Sequence, residues 1–306
     1  MENIKKVPIP LCGVMLGCAA LGNLLQSYSE GIRYLFGMIA FFLFILMILK
    51  LILYPGMIKE ELKNPIMASV SGTFSMALML LSVYLKPWIG RGAFAVWVLA
   101  IILHIALILY FTVNFIFKLQ MPKVFASYYI VYVGIAVAAI TAPAYEQFTI
   151  GSIAFWFGFV TLIMLFALIT VRYIKYKEVP QPAKPLICIY AAPVSLCLAG
   201  YIQSVTPKLK GMIVGMLAVA TIIYIFAFIK MLGYLKLPFY PSYAAFTFPF
   251  VISAIATKQT MVCMKNLGNP IPALKYMVLI ETIVATVLVV YTLIRFLLFI
   301  FAGSKN

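Results

Sequence analysis

The chain has 306 residues, of which 65% are hydrophobic and only 10% charged, with a mean hydropathy of +1.12. A soluble protein of this size holds roughly 45–50% apolar and about 25% charged residues, so a water-soluble core is excluded and an integral membrane protein is expected. Lys and Arg number 23 against 7 acids, all Glu. The basic residues stand singly or in pairs between apolar runs, which is the pattern of membrane topology and not of nucleic-acid binding.

The first apolar run follows Lys5-Lys6 and reaches Leu25. It has the outline of a secretory signal, and Met15-Leu16-Gly17-Cys18 that of a lipoprotein cleavage box. Its internal glycines, and Pro8 and Pro10 before it, fit a retained helix better. About 20 apolar residues at 1.5 Å each cross ~30 Å of hydrocarbon. Runs long enough fall at about 10–27, 32–54, 66–85, 93–117, 124–143, 150–171, 186–203, 211–235, 242–261 and 274–301. Residues 1–306 therefore read as a single transmembrane domain of ten helices. Most basic residues, Lys50, Lys118, Arg172 and Lys305 among them, fall on the side that carries both termini, which places those termini in the cytoplasm.

Pro10, Pro65, Pro122, Pro185 and Pro241 each stand at the cytoplasmic start of an odd-numbered span, one helical hairpin apart. Proline costs nothing in the first helical turn, where its missing N–H has no partner to lose. Five hairpins begun alike make a tandem, parallel repeat. The odd spans are richer in Gly, Pro, Ser and Thr than the even ones, most clearly in the first, second and fifth hairpins. Small and helix-breaking residues belong where helices pack closely or bend around a cavity; uniform Leu/Ile/Phe helices belong against lipid. The fold class expected is all-α: five tandem hairpins, with an inner ring of five pore-lining helices surrounded by an outer ring of five.

A dehydrated anion crossing such a ring needs weak partners, because strong fixed cations would not release it. Ser71, Thr73 and Ser75 in span three, Ser195 in span seven, and Thr247, Ser253 and Thr257 in span nine are candidate pore-lining hydroxyls. Gly13, Gly17, Gly72, Pro193 and Pro249 are candidates to kink the inner helices and expose backbone, and Lys258 is a candidate charge at the outer mouth. A cation pathway would carry rings of acids. Here no Asp occurs, and of the seven Glu only Glu281 lies within a span, where a snorkelling or hydrogen-bonded carboxyl near the interface is the reading preferred over a proton-coupling site. His104 is the one histidine, and a lone mid-span imidazole is more often packed than a ligand. The five cysteines, with no Cys-x-x-Cys, read as small buried hydrophobes. No metal, cofactor or catalytic pair is indicated, so an enzyme is not expected.

Three inner-span segments resemble a known family: Pro10-Leu-Cys-Gly13-Val-Met-Leu-Gly17-Cys-Ala-Ala-Leu21, Ala192-Pro193-Val-Ser-Leu-Cys-Leu-Ala-Gly-Tyr201, and Phe246-Thr-Phe248-Pro249. They are similar to the tellurite-resistance/dicarboxylate transporter family, which includes bacterial TehA and the slow-type anion channels of plant guard cells. The resemblance implies a homotrimer in the cytoplasmic membrane, embedded in lipid, each protomer with its own pore for small inorganic anions such as nitrate and chloride. It implies that Phe248 plugs that pore as a gate. The family name equally records carriers of dicarboxylate, sulfite or tellurite oxyanions, which is the alternative reading. The chain departs from the family in lacking the prolines usual in inner helices three and five, with Gly72 near one position and no proline between Ser127 and Tyr132. Asn64-Pro65 also stands where a His-Pro is frequent.

Overall fold

A computed structural model describes residues 2–302; Lys305, counted above for topology, lies outside the described residues. The described chain is helical, with no strand. Among the described residues ten long helical segments follow one another, with short helices at Glu2–Lys5 and Pro55–Glu61 besides: α1 (Leu11–Leu25), α2 (Glu30–Leu53), α3 (Pro65–Ile89), α4 (Arg91–Ile116), α5 (Tyr128–Tyr145), α6 (Phe148–Lys175), α7 (Gln181–Ser204), α8 (Lys210–Tyr234), α9 (Pro241–Asn266) and α10 (Leu274–Phe301). Nine are long and apolar enough to cross a membrane, and α1, at 15 residues, is shorter. Buried Val7, Ile9 and Pro10 extend its apolar column at the start.

Odd and even helices differ in what they bury. In α3, α5, α7 and α9, 67–89% of the most apolar stretch is inside the protein, against 22–39% in the even helices. All but two residues of α1 are buried. Large exposed hydrophobics such as Ile52, Leu109, Met164, Ile222 and Val287 sit on the even helices, whereas α1, α5 and α7 carry none. Water would not tolerate so much exposed apolar surface, and hydrocarbon does. The protein is an integral membrane protein.

Regularity differs too, apart from α1, which is one regular helix, and α4, which ends in a π turn at Thr112–Ile116. Helices α2, α6, α8 and α10 are each one unbroken α-helix. Helix α3 is interrupted at Ser71. Helix α5 passes through 3-10 turns at Val133–Ala136 and Ala142–Tyr145. Helix α7 opens with a ten-residue 3-10 stretch, Gln181–Tyr190, and α9 with another, Pro241–Phe246. Such long 3-10 runs are uncommon. Pro182 and Pro185 account for the first, since neither can donate the i→i−4 bond of an α-helix. Helix α3 at Ser71 and α5 at Val133–Ala136 therefore break without the prolines whose absence the sequence showed, whereas the second 3-10 turn of α5 holds Pro143. Gly72 and Gly134 provide the room instead: a Cβ at Gly134 would stand 3.0 Å from His104 Cε1, and one at Gly72 would stand 2.9 Å from Leu107.

Two of the five repeat prolines depart from expectation. Pro122 lies in a separate 3-10 turn, Met121–Lys123, ahead of α5. Pro185 lies inside the 3-10 part of α7, because that helix begins earlier than the apolar run. Pro65 and Pro241 do stand at their helix starts, and Pro10 is the residue just before α1.

Each odd helix is tied to another by hydrogen bonds. Tyr84 of α3 donates to Ala19 O of α1 at 2.8 Å. Ser69 of α3 donates to Ser127, just ahead of α5, at 2.7 Å. Ser204 of α7 donates to Ala139 O of α5 at 2.5 Å. Ser253 of α9 donates to Ala191 O of α7 at 3.2 Å, and Thr247 of α9 to Gly13 O of α1 at 3.0 Å. His104 holds α4 to this set. A carbonyl can only accept, so Nε2 carries the proton it shares with Val131 O at 3.0 Å, and Nδ1 accepts from Ser75 Oγ at 2.7 Å.

Two basic residues read as topology markers are structural anchors as well. Arg172, 1% exposed, donates from Nη1 to Tyr176 O at 3.1 Å and from Nη2 to Pro122 O at 3.1 Å and Glu178 O at 3.4 Å. Its guanidinium also lies 4.5 Å from the Phe125 ring centre. Lys50 bonds Val7 O at 2.5 Å and Glu61 Oε1 at 2.7 Å. Glu281 does not snorkel. It is 3% exposed, within hydrogen-bonding reach of Thr257, with Oε2 unpartnered. It faces α9, which packs along α10, and there it meets Thr257. The five cysteines are buried and unpaired with one another.

Candidate functional site

Two cavities lie inside the bundle. The first, about 260 Å³, lies at the end where the odd helices begin, against Pro10, Pro180 and Pro241. The second, about 510 Å³, lies at the far end, where they finish, against Leu24, Gln203 and Asn266. All five odd helices contribute to both linings, and no even helix contributes to either. The irregular backbone explains the first cavity. The 3-10 halves of α7 and α9 pack against each other, and Ala183, Leu186, Ala244 and Ala245 form its wall. Small residues at these positions keep the space from filling.

Phe248 is the one residue among those described that lines both cavities. It is buried and opens the α-helical part of α9, immediately after the break at Thr247, whose backbone φ and ψ are −99° and −95°. Pro249 occupies the first turn of that part. It therefore starts a helix where a mid-helix kink was expected, and it removes an N–H that had no helical partner. Thr247 is latched from two sides, with Oγ1 2.7 Å from Ala244 O and 3.0 Å from Gly13 O.

Gly17 lies directly behind this break. A Cβ there would stand 2.6 Å from Thr247 Cβ and 3.2 Å from the backbone nitrogen of Phe248. The close approach of α1 to α9 thus requires glycine at this point. Gly17→Val is expected to lower thermal stability by about 1–3 kcal/mol through overpacking. Size-exclusion elution after a temperature ramp in detergent measures this, and wild-type melting would show that the contact is not tight.

The remaining sequence candidates divide between cavity and core. Gly13, Thr73, Pro193 and Pro249 line the first cavity with Phe248, and Lys258 lines the second. Gly17, Gly72, Ser71, Ser75, Ser195, Thr247, Ser253 and Thr257 line neither. Their hydroxyls are spent on packing. Ser71 bonds Ala68 O, Ser75 bonds His104, Ser195 and Ser253 meet at 3.2 Å, and Thr257 lies beside Glu281. Even Thr73, in the first cavity, bonds Val70 O at 2.7 Å. The walls around Phe248 are consequently apolar. Lys208, Gln203, Gln259, Asn23 and Asn266 make the second cavity more polar, and none of these was singled out from sequence. Their signal was visible as a cluster of amides and lysines at the ends of odd spans.

The sequence model of a family described as voltage-dependent anion channel matches residues 6–297. The chain belongs to that family. Comparison with curated proteins returned no match. Membership places this voltage-dependent anion channel relative among proteins that move anions across membranes, and it covers nearly the whole bundle, both cavities included.

Proposed function

We propose that the chain is a single channel domain in which α1, α3, α5, α7 and α9 ring a pore for small monovalent anions such as nitrate and chloride, closed by Phe248. The observation that carries this reading is the place of Phe248 as the one residue common to two cavities at opposite ends of the bundle. The hydrogen bonds that link the odd helices, ending with α9 on α1, support a closed ring. An apolar constriction holds back hydrated ions by excluding water, so a ring across it acts as a gate without any charge. Absence of a carboxylate from either lining supports anions over cations. The distribution of Lys and Arg supports cytoplasmic termini in the cell membrane. A homotrimer with one pore per protomer completes the proposal and rests on the family resemblance.

Planar-bilayer recordings of the purified protein test it, with nitrate, chloride, sulfate and malate substituted in turn. Sustained currents in unitary steps, larger for nitrate and chloride than for the divalent anions, are expected. Saturating, proton-dependent flux without unitary steps would overturn the channel in favour of a dicarboxylate, sulfite or tellurite carrier.

A further inference from the structure

The odd helices run the same way, so their C-terminal ends gather around the second cavity. A helix C-terminus carries about half an elementary negative charge, from carbonyls left without an intrahelical partner. Several such ends at one mouth set up a field that repels anions and attracts cations.

Three lysines answer that field, each bonded to a carbonyl oxygen at the end of an odd helix. Lys258 of α9 reaches across to α1 and donates from Nζ to Leu24 O at 2.9 Å and to Ser27 Oγ at 2.6 Å. Lys86 of α3 reaches across to α5 and donates to Ala144 O. Lys208 follows α7 and donates at 2.8 Å to Val205 O, the residue that caps that helix. No carboxylate pairs with any of the three among the described residues. Lys208 and Lys258 are half-buried and line the second cavity, whereas Lys86 is exposed and lies outside its lining.

An ammonium brings a full positive charge to a helix end of about half a negative one, so each capped end becomes net positive. Its donors are partly engaged by the protein, two of the three on Lys258 and one of the three on Lys208, so the charge is held at the mouth while part of its hydrogen-bonding capacity is already committed. That combination suits passage, since a mouth that bound anions tightly would not release them.

We propose that Lys208 and Lys258, by capping the ends of α7 and α1, reverse the helix-end potential of the far vestibule and set its preference for anions over cations. The proposal rests on the pore reading above. It assigns the preference to charge on two named lysines and not to the apolar walls around Phe248.

Reversal potentials in asymmetric KCl bilayers test it with Lys208→Gln, Lys258→Gln, the double variant, Lys258→Arg and Lys86→Gln. Glutamine keeps a donor for the carbonyl and removes the charge. The double variant is expected to lose roughly five- to tenfold in chloride-over-potassium permeability. Lys258→Arg and Lys86→Gln are expected to keep the wild-type value, the first because it keeps the charge and the second because it lies outside the cavity. If the double variant does not elute as a folded species, each single Gln variant is expected to shift the same way by less. A conducting wild type whose folded Gln variants reverse at the wild-type potential overturns this inference alone. A wild type without sustained current overturns the pore reading, and this inference with it.

Discussion

Phe248→Ala is expected to raise the anion conductance of the reconstituted protein by roughly tenfold or more. Phe248 lines both cavities, of about 260 and 510 Å³, and among the described residues no other side chain does. Truncating it to a methyl group would join them into one wettable column. Burying a Phe in a tight core is worth about 3–5 kcal/mol against Ala. Phe248 faces open space on two sides, so its truncation should cost less than that, and the folded protein should survive. Phe248→Leu should fall between the two. Single-channel or macroscopic current at matched reconstituted protein measures the effect, and current at or below wild type would remove Phe248 from the gate.

Arg172→Ala is expected to cost on the order of 3–5 kcal/mol of stability, enough to abolish a monodisperse protein. The guanidinium joins the C-terminal turn of α6 to Pro122 O ahead of α5 and to the following loop through Tyr176 O and Glu178 O. Alanine leaves those carbonyls without their donor, opens a gap where a side chain 1% exposed had packed, and removes the contact with Phe125. Lysine keeps the charge but lacks the planar fork that serves separate acceptors, so Arg172→Lys should rescue only part of the loss. Yield and elution profile in mild detergent report it. A well-behaved Arg172→Ala protein would mean that the three carbonyls find water.

What could be read from sequence was whatever depends on periodicity and transfer energy. The apolar runs located ten helices because hydrocarbon admits no other backbone there. The excess of small residues in odd spans marked the helices that are buried, because close packing demands small side chains. The family match confirmed the resemblance drawn from the three inner-span segments.

Side-chain partnership was out of reach. Ser75, Ser195 and Ser253 are as polar as a pore hydroxyl needs to be, and only their neighbours in space reveal that packing has already engaged them. Glu281 could not be placed on the buried face of α10 while the packing of α9 against it was unknown. Other features were legible and passed over. Pro182 and Pro185 within four residues predict a segment that cannot be regular α-helix. Lys86 and Lys208 near helix C-termini follow a general preference for cations there, whereas Lys258 lies two turns before the end of its own helix and its bond to α1 shows only in space.

The seam between α9 and α1 joins residues 234 positions apart, both at Thr247–Gly13 and at Lys258–Leu24. A ribosome must therefore deliver more than four-fifths of the chain before the first helix meets its final neighbour. Until then α1, the shortest of the ten and composed largely of small residues, stays in the bilayer with one flank uncovered, held by α2 and α3. Its polar backbone, approached so closely at Gly17, is sealed only by the arrival of the last hairpin. Truncation anywhere before α9 removes together the latch to Gly13 and the residue common to both cavities.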